Sequence, residues 1–153
     1  MISLFYDLLP AGAAQQEQHL AGRVLLRRVL GEGEVLLREN GKPFVSGAPE
    51  FSISHCKGLV LLGVNDRGYI GCDAERLDRI VRSPVRLRQR IAATPEEENM
   101  PLLELWVRKE AKYKAGGAGK VFLPEAPAGY VFAVCCPSLP DVLPQPERIA
   151  LCL

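Results

Sequence analysis

The sequence predicts an α+β fold, because segments of helical character and segments of strand character both occur throughout the chain. Apolar residues recur every three or four positions in the helical segments, whereas the strand segments are short apolar runs beside turn-forming residues. Each half of the chain places a helical segment before paired strand segments. We therefore expect a first half over residues 1–66 and a second half over residues 67–153, packed as one compact unit.

The first half is predicted to contain one helix and three strands. The amphipathic helix covers Ala14–Leu30 and ends at Gly31. The predicted strands are Met1–Leu8, Phe51–Ser54 and Leu59–Val64. The last of these strands is continuously apolar, so we expect it to be buried. Gly41-Lys42-Pro43 is predicted to be a loop.

The second half is predicted to begin with a strand over Tyr69–Glu75. The turn-forming run Asp66-Arg67-Gly68 separates this strand from Leu59–Val64, which predicts a hairpin between the two strands. Tyr130–Cys136 is a further predicted strand, and Ile149–Leu153 is expected to form a last edge strand.

Three helical segments lie between these strands. Pro84–Ile91 is predicted to be helical, and a second helix starts after Thr94, with Glu97 completing a capping box. Leu102–Ala115 has the strongest helical pattern in the chain and is ended by Gly116-Gly117.

Composition excludes several classes of function. The 153 residues carry a net charge of +1, so no overall field points to nucleic acid or to a membrane surface. No apolar run approaches transmembrane length, and the N-terminus lacks the pattern of a signal peptide. The five cysteines match no zinc-binding spacing, so we expect reduced thiols in a cytoplasmic protein. We also expect a monomer.

Two acidic residues lie on one face of the predicted strand Tyr69–Glu75. Alternation places Gly71, Asp73 and Glu75 away from the core. Two neighbouring carboxylates repel each other unless a cation lies between them, and carboxylate oxygens suit Mg²⁺. The small Gly71 is expected to leave room for a bulky anion. The alternative is a solvated strand face, which is the usual meaning of an isolated acidic pair.

A third acidic residue lies on the strongest helix. Trp106, Glu110 and Lys114 are four residues apart and share one face, with Lys109 beside them. A glutamate between two lysines suits a metal-bound phosphate, because the acid binds the ion and the lysines bind phosphate oxygens. The alternative is an exposed helix face with salt bridges.

The strand Phe51–Ser54 ends in Ser54 and His55, followed by Lys57. A hydroxyl and an imidazole at a strand end can contact a phosphate. A Ser–His nucleophile pair is a weaker interpretation, because adjacent residues of an extended chain point to opposite sides.

Arginines are concentrated after the acidic strand. The segment contains Arg76, Arg79, Arg82, Arg86, Arg88 and Arg90, opposed within it only by Asp78. Such a concentration is either a docking patch for an acidic macromolecule or a phosphate, or a solvated face, and the sequence favours neither.

The chain resembles the 4′-phosphopantetheinyl transferases. Their ordered motifs are matched by Gly41-Lys42-Pro43, Phe51–His55, Gly71–Glu75, and Trp106–Ala111 followed by Lys114. The resemblance is to the two-halved, surfactin-synthetase-activator type, in the subgroup whose helix motif begins with Trp and ends in Lys-Glu-Ala. It covers the chain from about Arg23 to Lys114, with a first half shorter than is usual.

This resemblance implies both a fold and an activity. The fold would be two similar α+β halves about a pseudo-twofold axis, with coenzyme A in the cleft between them. Such enzymes need Mg²⁺ and transfer the 4′-phosphopantetheine arm of coenzyme A to a serine of an acyl or peptidyl carrier protein, releasing adenosine 3′,5′-bisphosphate. The carrier is expected to dock through Arg82, Arg86 and Arg88.

The resemblance also implies roles for individual residues. Asp73, Glu75 and Glu110 would hold Mg²⁺, and Glu110, Lys114 and Asp73 would form the catalytic group, with Glu110 as the base. The residues implied to bind coenzyme A are Arg23, Arg28, Lys42, Pro43, Ser54, His55, Lys109 and Lys114. Among them Lys42 and Pro43 would lie near the adenine.

Two other functions fit the same residues. One is a non-catalytic module that binds coenzyme A or a carrier protein. The other is a Mg²⁺-dependent phosphohydrolase of another fold, which would act without a carrier protein.

Overall fold

The computed structural model describes the whole chain, Met1–Leu153, and stacks its main elements in the order helix, sheet, sheet, helix. The helices are α1 (Gln15–Leu30), α2 (Pro84–Ile91), α3 (Pro95–Asn99) and α4 (Leu102–Lys114). The strands are β1 (Ile2–Leu8), β2 (Val35–Leu37), β3 (Pro43–Val45), β4 (Glu50–Cys56), β5 (Leu59–Asn65), β6 (Gly71–Arg76), β7 (Lys120–Phe122), β8 (Tyr130–Cys136) and β9 (Glu147–Arg148). The mixture of helices and strands confirms the predicted α+β class.

The first sheet has the strand order β4-β5-β1-β9, and a separate small hairpin joins β2 to β3. Every residue of β5 is buried, as its continuous apolar run predicts. One face of this sheet packs against α1, where Leu25 and Leu26 meet Val60 and Leu62.

The second sheet has the order β6-β8-β7 and carries α4 on its outer face. Its inner face meets the first sheet in an apolar cluster that includes Leu4, Leu61, Cys72 and Phe132. The cysteines are all free, as expected of reduced thiols. No helix combines the length and the apolar character needed to cross a membrane.

The predicted hairpin between β5 and β6 is wrong. Strand β5 pairs with β4 on one edge and β1 on the other, so neither edge is left for β6. The turn after Asn65 instead carries the chain into the second sheet, where β6 pairs with β8. The hairpin of this region joins β4 to β5 through Gly58, which has a positive φ of 87°.

Serine side chains join the two sheets where β4 passes β6. The backbone N–H groups of Cys72 and Ala74 donate to the hydroxyl oxygens of Ser52 (3.0 Å) and Ser54 (3.1 Å) respectively. These bonds satisfy buried N–H groups that have no strand partner on that side. We call Ser52 and Ser54 the serine seam.

The chain ends differ in part from the prediction. The edge strand beside β1 is formed by Glu147–Arg148 rather than by Ile149–Leu153, and it runs parallel to β1. The backbone of the last residues is held by the buried Asp7, whose carboxylate accepts from the N–H of Leu151 at 2.8 Å. The short strands β2, β3 and β7 were not predicted.

The cap of α3 follows the prediction only in part. The hydroxyl of Thr94 accepts from the N–H of Glu97 at 3.2 Å, as expected of an N-cap. The Glu97 carboxylate, however, accepts from the N–H of Ala93 at 2.7 Å rather than from that of Thr94. The predicted capping box is therefore displaced by one residue.

Candidate active site

Strand β6 and helix α4 are in direct contact, and this contact positions the acidic residues. A side chain at Gly71 would overlap the backbone carbonyl of Ala111 and the N–H of Ala115. Glycine is therefore required for the close packing of α4, not for the accommodation of an anion as the sequence suggested. As alternation predicts, Cys72 and Ala74 face the core, while Asp73 faces α4 and is 7% exposed.

Asp73 is held from two sides. The Lys114 ammonium donates to its Oδ1 at 2.8 Å, and the Ser54 hydroxyl donates to the same oxygen at 3.0 Å. No protein group donates to Oδ2, and no buried side-chain oxygen of the protein lacks a partner, so Oδ2 is open to solvent. One oxygen of this carboxylate thus remains free to bind a cation.

Glu110 lies one helical turn before Lys114 and makes no ion pair in the protein. Partial burial and the nearby charge of Asp73 raise the pKa of Glu110, and the Lys114 ammonium opposes this effect. Two carboxylates that repel each other and keep free oxygens form an arrangement that a cation stabilises.

The carboxylate of Glu75 is bound to other groups of the protein. It pairs with Arg79, and its Oε1 accepts from the backbone N–H of Arg76 at 3.0 Å. No group of three or more acidic, histidine or cysteine side chains is arranged in the structure to hold a metal ion alone. Asp73 and Glu110 do fit Mg²⁺, since this ion commonly takes one or two carboxylates and completes its shell with phosphate oxygens and water.

A cavity of about 420 Å³ opens beside this cluster. Its lining includes Lys42, Pro43, Phe51, Tyr113 and Lys114. The Lys42 ammonium donates to the carbonyl of Ile70 at 2.6 Å. Burial lowers the pKa of Lys42, and the nearby Glu50 opposes this effect. Lys114 belongs to both the cavity and the acidic cluster, so a bound molecule can reach from one to the other.

His55 lies at the end of β4 and contacts α1. Its Nδ1 is 3.2 Å from Oε1 of Gln18, and its ring meets the His19 ring edge to face, with the centroids 5.7 Å apart. Burial lowers the pKa of His55, and the charges of His19 and Lys114 add to this effect. No sequence signal selects Gln18 or His19, because only the packing of α1 on β4 brings them to His55.

Two residues predicted to contact coenzyme A, Ser54 and Lys109, bind other groups of the protein in the structure. Ser54 is 3% exposed, and its hydroxyl bonds to Asp73 and Ala74 in the serine seam, so it is not available to a phosphate. The Lys109 ammonium is 2.8 Å from both carboxylate oxygens of Glu97, which lowers the pKa of Glu97.

The two predicted arginines of α1 do not line the cavity beside Lys114. Arg23 lines a different cavity, of about 240 Å³, together with Gly33, Val35 and Val45. Arg28 is exposed near the C-terminal end of α1.

The arginines from Arg76 to Arg90 fall into two groups. Arg76 pairs with Asp78 and Arg79 pairs with Glu75. Arg88 donates to the backbone carbonyls of Glu97, Glu98 and Met100, so it stabilises the end of α3 and is not a free docking residue. The remaining three are exposed and form no ion pair in the structure, and we call them the free arginine patch. They are Arg82, Arg86 and Arg90.

Comparison with known proteins gives a consistent set of relatives, although no family model matches the chain. The chain is 36% identical over 132 residues to the 4′-phosphopantetheinyl transferase AcpT of Salmonella typhimurium, which covers 75% of this chain and 69% of that protein. It is 32% identical over 136 residues to the 4′-phosphopantetheinyl transferase AcpT of Escherichia coli K12, which covers 74% of this chain and 69% of that protein.

Proposed function

This chain belongs to the 4′-phosphopantetheinyl transferase family, and from that premise we propose that it transfers the 4′-phosphopantetheine arm of coenzyme A to a serine of an acyl or peptidyl carrier protein. The other product is adenosine 3′,5′-bisphosphate. The observation that carries the proposal is the position of Lys114, which lines the cavity of about 420 Å³ and also binds Asp73 beside Glu110.

We place the adenosine end of coenzyme A in this cavity beside Asp73 and Lys114. Lys42, Pro43 and Lys114 all line it. Lys42 and Pro43 would flank the adenine, while Lys114 would meet the phosphates. The Lys42 side chain is held by the Ile70 carbonyl, so it is ordered before the substrate binds. His55 is the second group that we assign to the phosphates.

Asp73 and Glu110 would hold Mg²⁺ against the pyrophosphate, and the bound ion would neutralise negative charge there. Glu75 is the third ligand that the resemblance implies, and its carboxylate pairs with Arg79 in the structure. The free Oδ2 of Asp73 and the unpaired carboxylate of Glu110 support this division of roles.

The reaction is a displacement at phosphorus. The oxygen of the carrier serine forms a bond to the phosphorus atom that bears the pantetheine arm, and the bond from that phosphorus to the bridging oxygen of the pyrophosphate breaks. Glu110 is the group that we assign to accept the serine proton. The Lys114 ammonium would stabilise charge on the departing phosphate.

Finer assignments rest on the resemblance and on the layout of the fold. We assign the chain to the surfactin-synthetase-activator type, Trp/Lys-Glu-Ala subgroup, with holo-acyl-carrier-protein synthase activity. Residues 1–66 and 67–153 would be its two halves, related by a pseudo-twofold axis. The order helix, sheet, sheet, helix supports that relation, while β9 returns to the first sheet.

The proposal is tested by intact-mass spectrometry of an apo acyl carrier protein incubated with the enzyme, coenzyme A and Mg²⁺. The carrier should gain the mass of one phosphopantetheine arm, and a carrier with its acceptor serine changed to alanine should gain nothing. Binding of coenzyme A without transfer to any carrier tested would favour the non-catalytic module. Hydrolysis of coenzyme A in the absence of a carrier would favour the phosphohydrolase.

A further inference from the structure

The amide of Gln18 is fixed between two partners. Its Nε2 donates to the carbonyl of Ala13 at 3.1 Å, and its Oε1 lies 3.2 Å from Nδ1 of His55. A carbonyl can only accept a hydrogen bond, so the Ala13 contact turns the amide nitrogen toward Ala13 and the amide oxygen toward His55. That oxygen also can only accept, and therefore Nδ1 of His55 carries a proton.

When the ring of His55 is neutral, its second nitrogen, Nε2, therefore carries no proton. An unprotonated Nε2 can only accept a hydrogen bond, and a phosphate oxygen without a proton also can only accept. The two repel each other until Nε2 takes up a proton, after which the imidazolium and the phosphate form a charge-assisted hydrogen bond.

The surroundings of His55 keep the ring neutral before a phosphate arrives. Helix α1 presents His19, α4 presents the Lys114 ammonium, and the neighbouring strand β5 presents the apolar Val60. No carboxylate faces the ring closely enough to raise its pKa, which burial and these two basic groups lower.

We propose that Gln18 is a positioning residue that holds His55 as its Nδ1–H form, so that coenzyme A binding is accompanied by uptake of a proton from solvent on Nε2. This inference rests on the proposed function, because the phosphate that attracts the proton is that of coenzyme A. Affinity for coenzyme A then falls as the pH rises above neutrality, because the required proton becomes scarcer.

Isothermal titration calorimetry with coenzyme A as the probe tests the linkage directly. Titrations at pH 7.5 in two buffers of different ionisation enthalpy give the number of protons taken up. Wild-type protein should take up a substantial fraction of one proton per coenzyme A. In Gln18→Leu the ring can adopt the Nε2–H form, so proton uptake should fall by about half or more. Gln16→Leu, an exposed change on the same helix, is the matched control and should keep the wild-type value.

Three results would overturn the inference. They are wild-type binding heats that do not depend on the buffer, a Gln18→Leu variant with unchanged proton uptake, and imidazole nitrogen NMR spectra of the free protein that place the His55 proton on Nε2. The NMR experiment needs no variant, so it decides even if Gln18→Leu does not fold. Wild-type protein that transfers the arm but binds coenzyme A without proton uptake refutes this inference alone. Protein that binds no coenzyme A refutes the proposed function as well.

Discussion

Replacing Ser54 by alanine removes a hydroxyl that serves the fold and the site together. This hydroxyl accepts from the N–H of Ala74 at 3.1 Å and donates to Oδ1 of Asp73 at 3.0 Å. Ser52 accepts from the N–H of Cys72 in a similar way but makes no bond to a carboxylate. The two serines therefore allow the two contributions to be separated.

The expected magnitudes follow from the bonds that are lost. A buried N–H left without an acceptor costs about 1–3 kcal/mol, and a hydrogen bond to a charged group contributes about 1.5–3 kcal/mol. Ser52→Ala should lower the free energy of unfolding by about 1–3 kcal/mol, because only the first loss applies. Ser54→Ala should lower it by about 2.5–6 kcal/mol, because both losses apply and Ser54 is 3% exposed. The exposed Ser83, which makes no side-chain cap, is the control, and Ser83→Ala should change the value by less than about 0.5 kcal/mol.

Urea unfolding followed by circular dichroism measures these differences, with unchanged m-values showing that the same surface is exposed in each variant. The expected order of stability loss is Ser54→Ala, then Ser52→Ala, then Ser83→Ala. If Ser54→Ala were as stable as Ser83→Ala, the serine seam would not hold the two sheets together. If Ser52→Ala cost more than Ser54→Ala, the bond to Asp73 would contribute nothing to the fold.

Two further predictions concern the substrates. His55→Ala should raise KM for coenzyme A and leave kcat within about threefold, because a contact made equally in the ground and transition states affects binding alone. Steady-state kinetics at saturating carrier measure both constants. A collapse of kcat would show instead that His55 is catalytic. Reversing Arg82, Arg86 and Arg90 to Glu should lower kcat/KM for the carrier and leave the affinity for coenzyme A unchanged. The rate of the wild type should also fall as salt is added, because exposed charges are screened over roughly 8–10 Å at 0.1–0.15 M salt. If neither added salt nor the charge reversal changes kcat/KM for the carrier, the free arginine patch is an ordinary solvated face.

The parts of the fold that sequence predicts well are those with local signals. Gly31 ends α1 and the apolar run Leu59–Val64 is buried in β5, because capping and hydrophobic periodicity act within a few residues. Alternation also placed Cys72 and Asp73 on the correct faces of β6. The sequence does not predict the pairing of β6 with β8, because it joins residues about 60 positions apart and no turn signal indicates so distant a partner.

The same limit explains the corrections at the site. Ser54 and His55 are adjacent, and alternation sends them to opposite sides, so that Ser54 faces β6 while His55 faces α1. The sequence shows a hydroxyl at that position but not the strand that it meets. Arg88 resembles its exposed neighbours in sequence, and only the packing of α2 beside α3 turns it toward backbone carbonyls.

The central claim is that Glu110, beside Asp73, carries out the transfer. Glu110→Gln is the cleanest change, because Glu110 makes no ion pair in the structure, whereas Asp73 is bonded to Lys114 and Ser54. Glu104→Gln is the control on the same helix, since Glu104 pairs with Arg108 at 3.1 Å.

The decisive measurement is the initial rate of carrier modification, followed by intact-mass spectrometry at saturating coenzyme A and Mg²⁺ for the wild type and both variants. Loss of a general base commonly costs about 10²–10⁴ in rate, so Glu110→Gln should fall by at least a hundredfold while Glu104→Gln stays near the wild-type rate. A Glu110→Gln variant that modifies the carrier as fast as the wild type would contradict the account of this site.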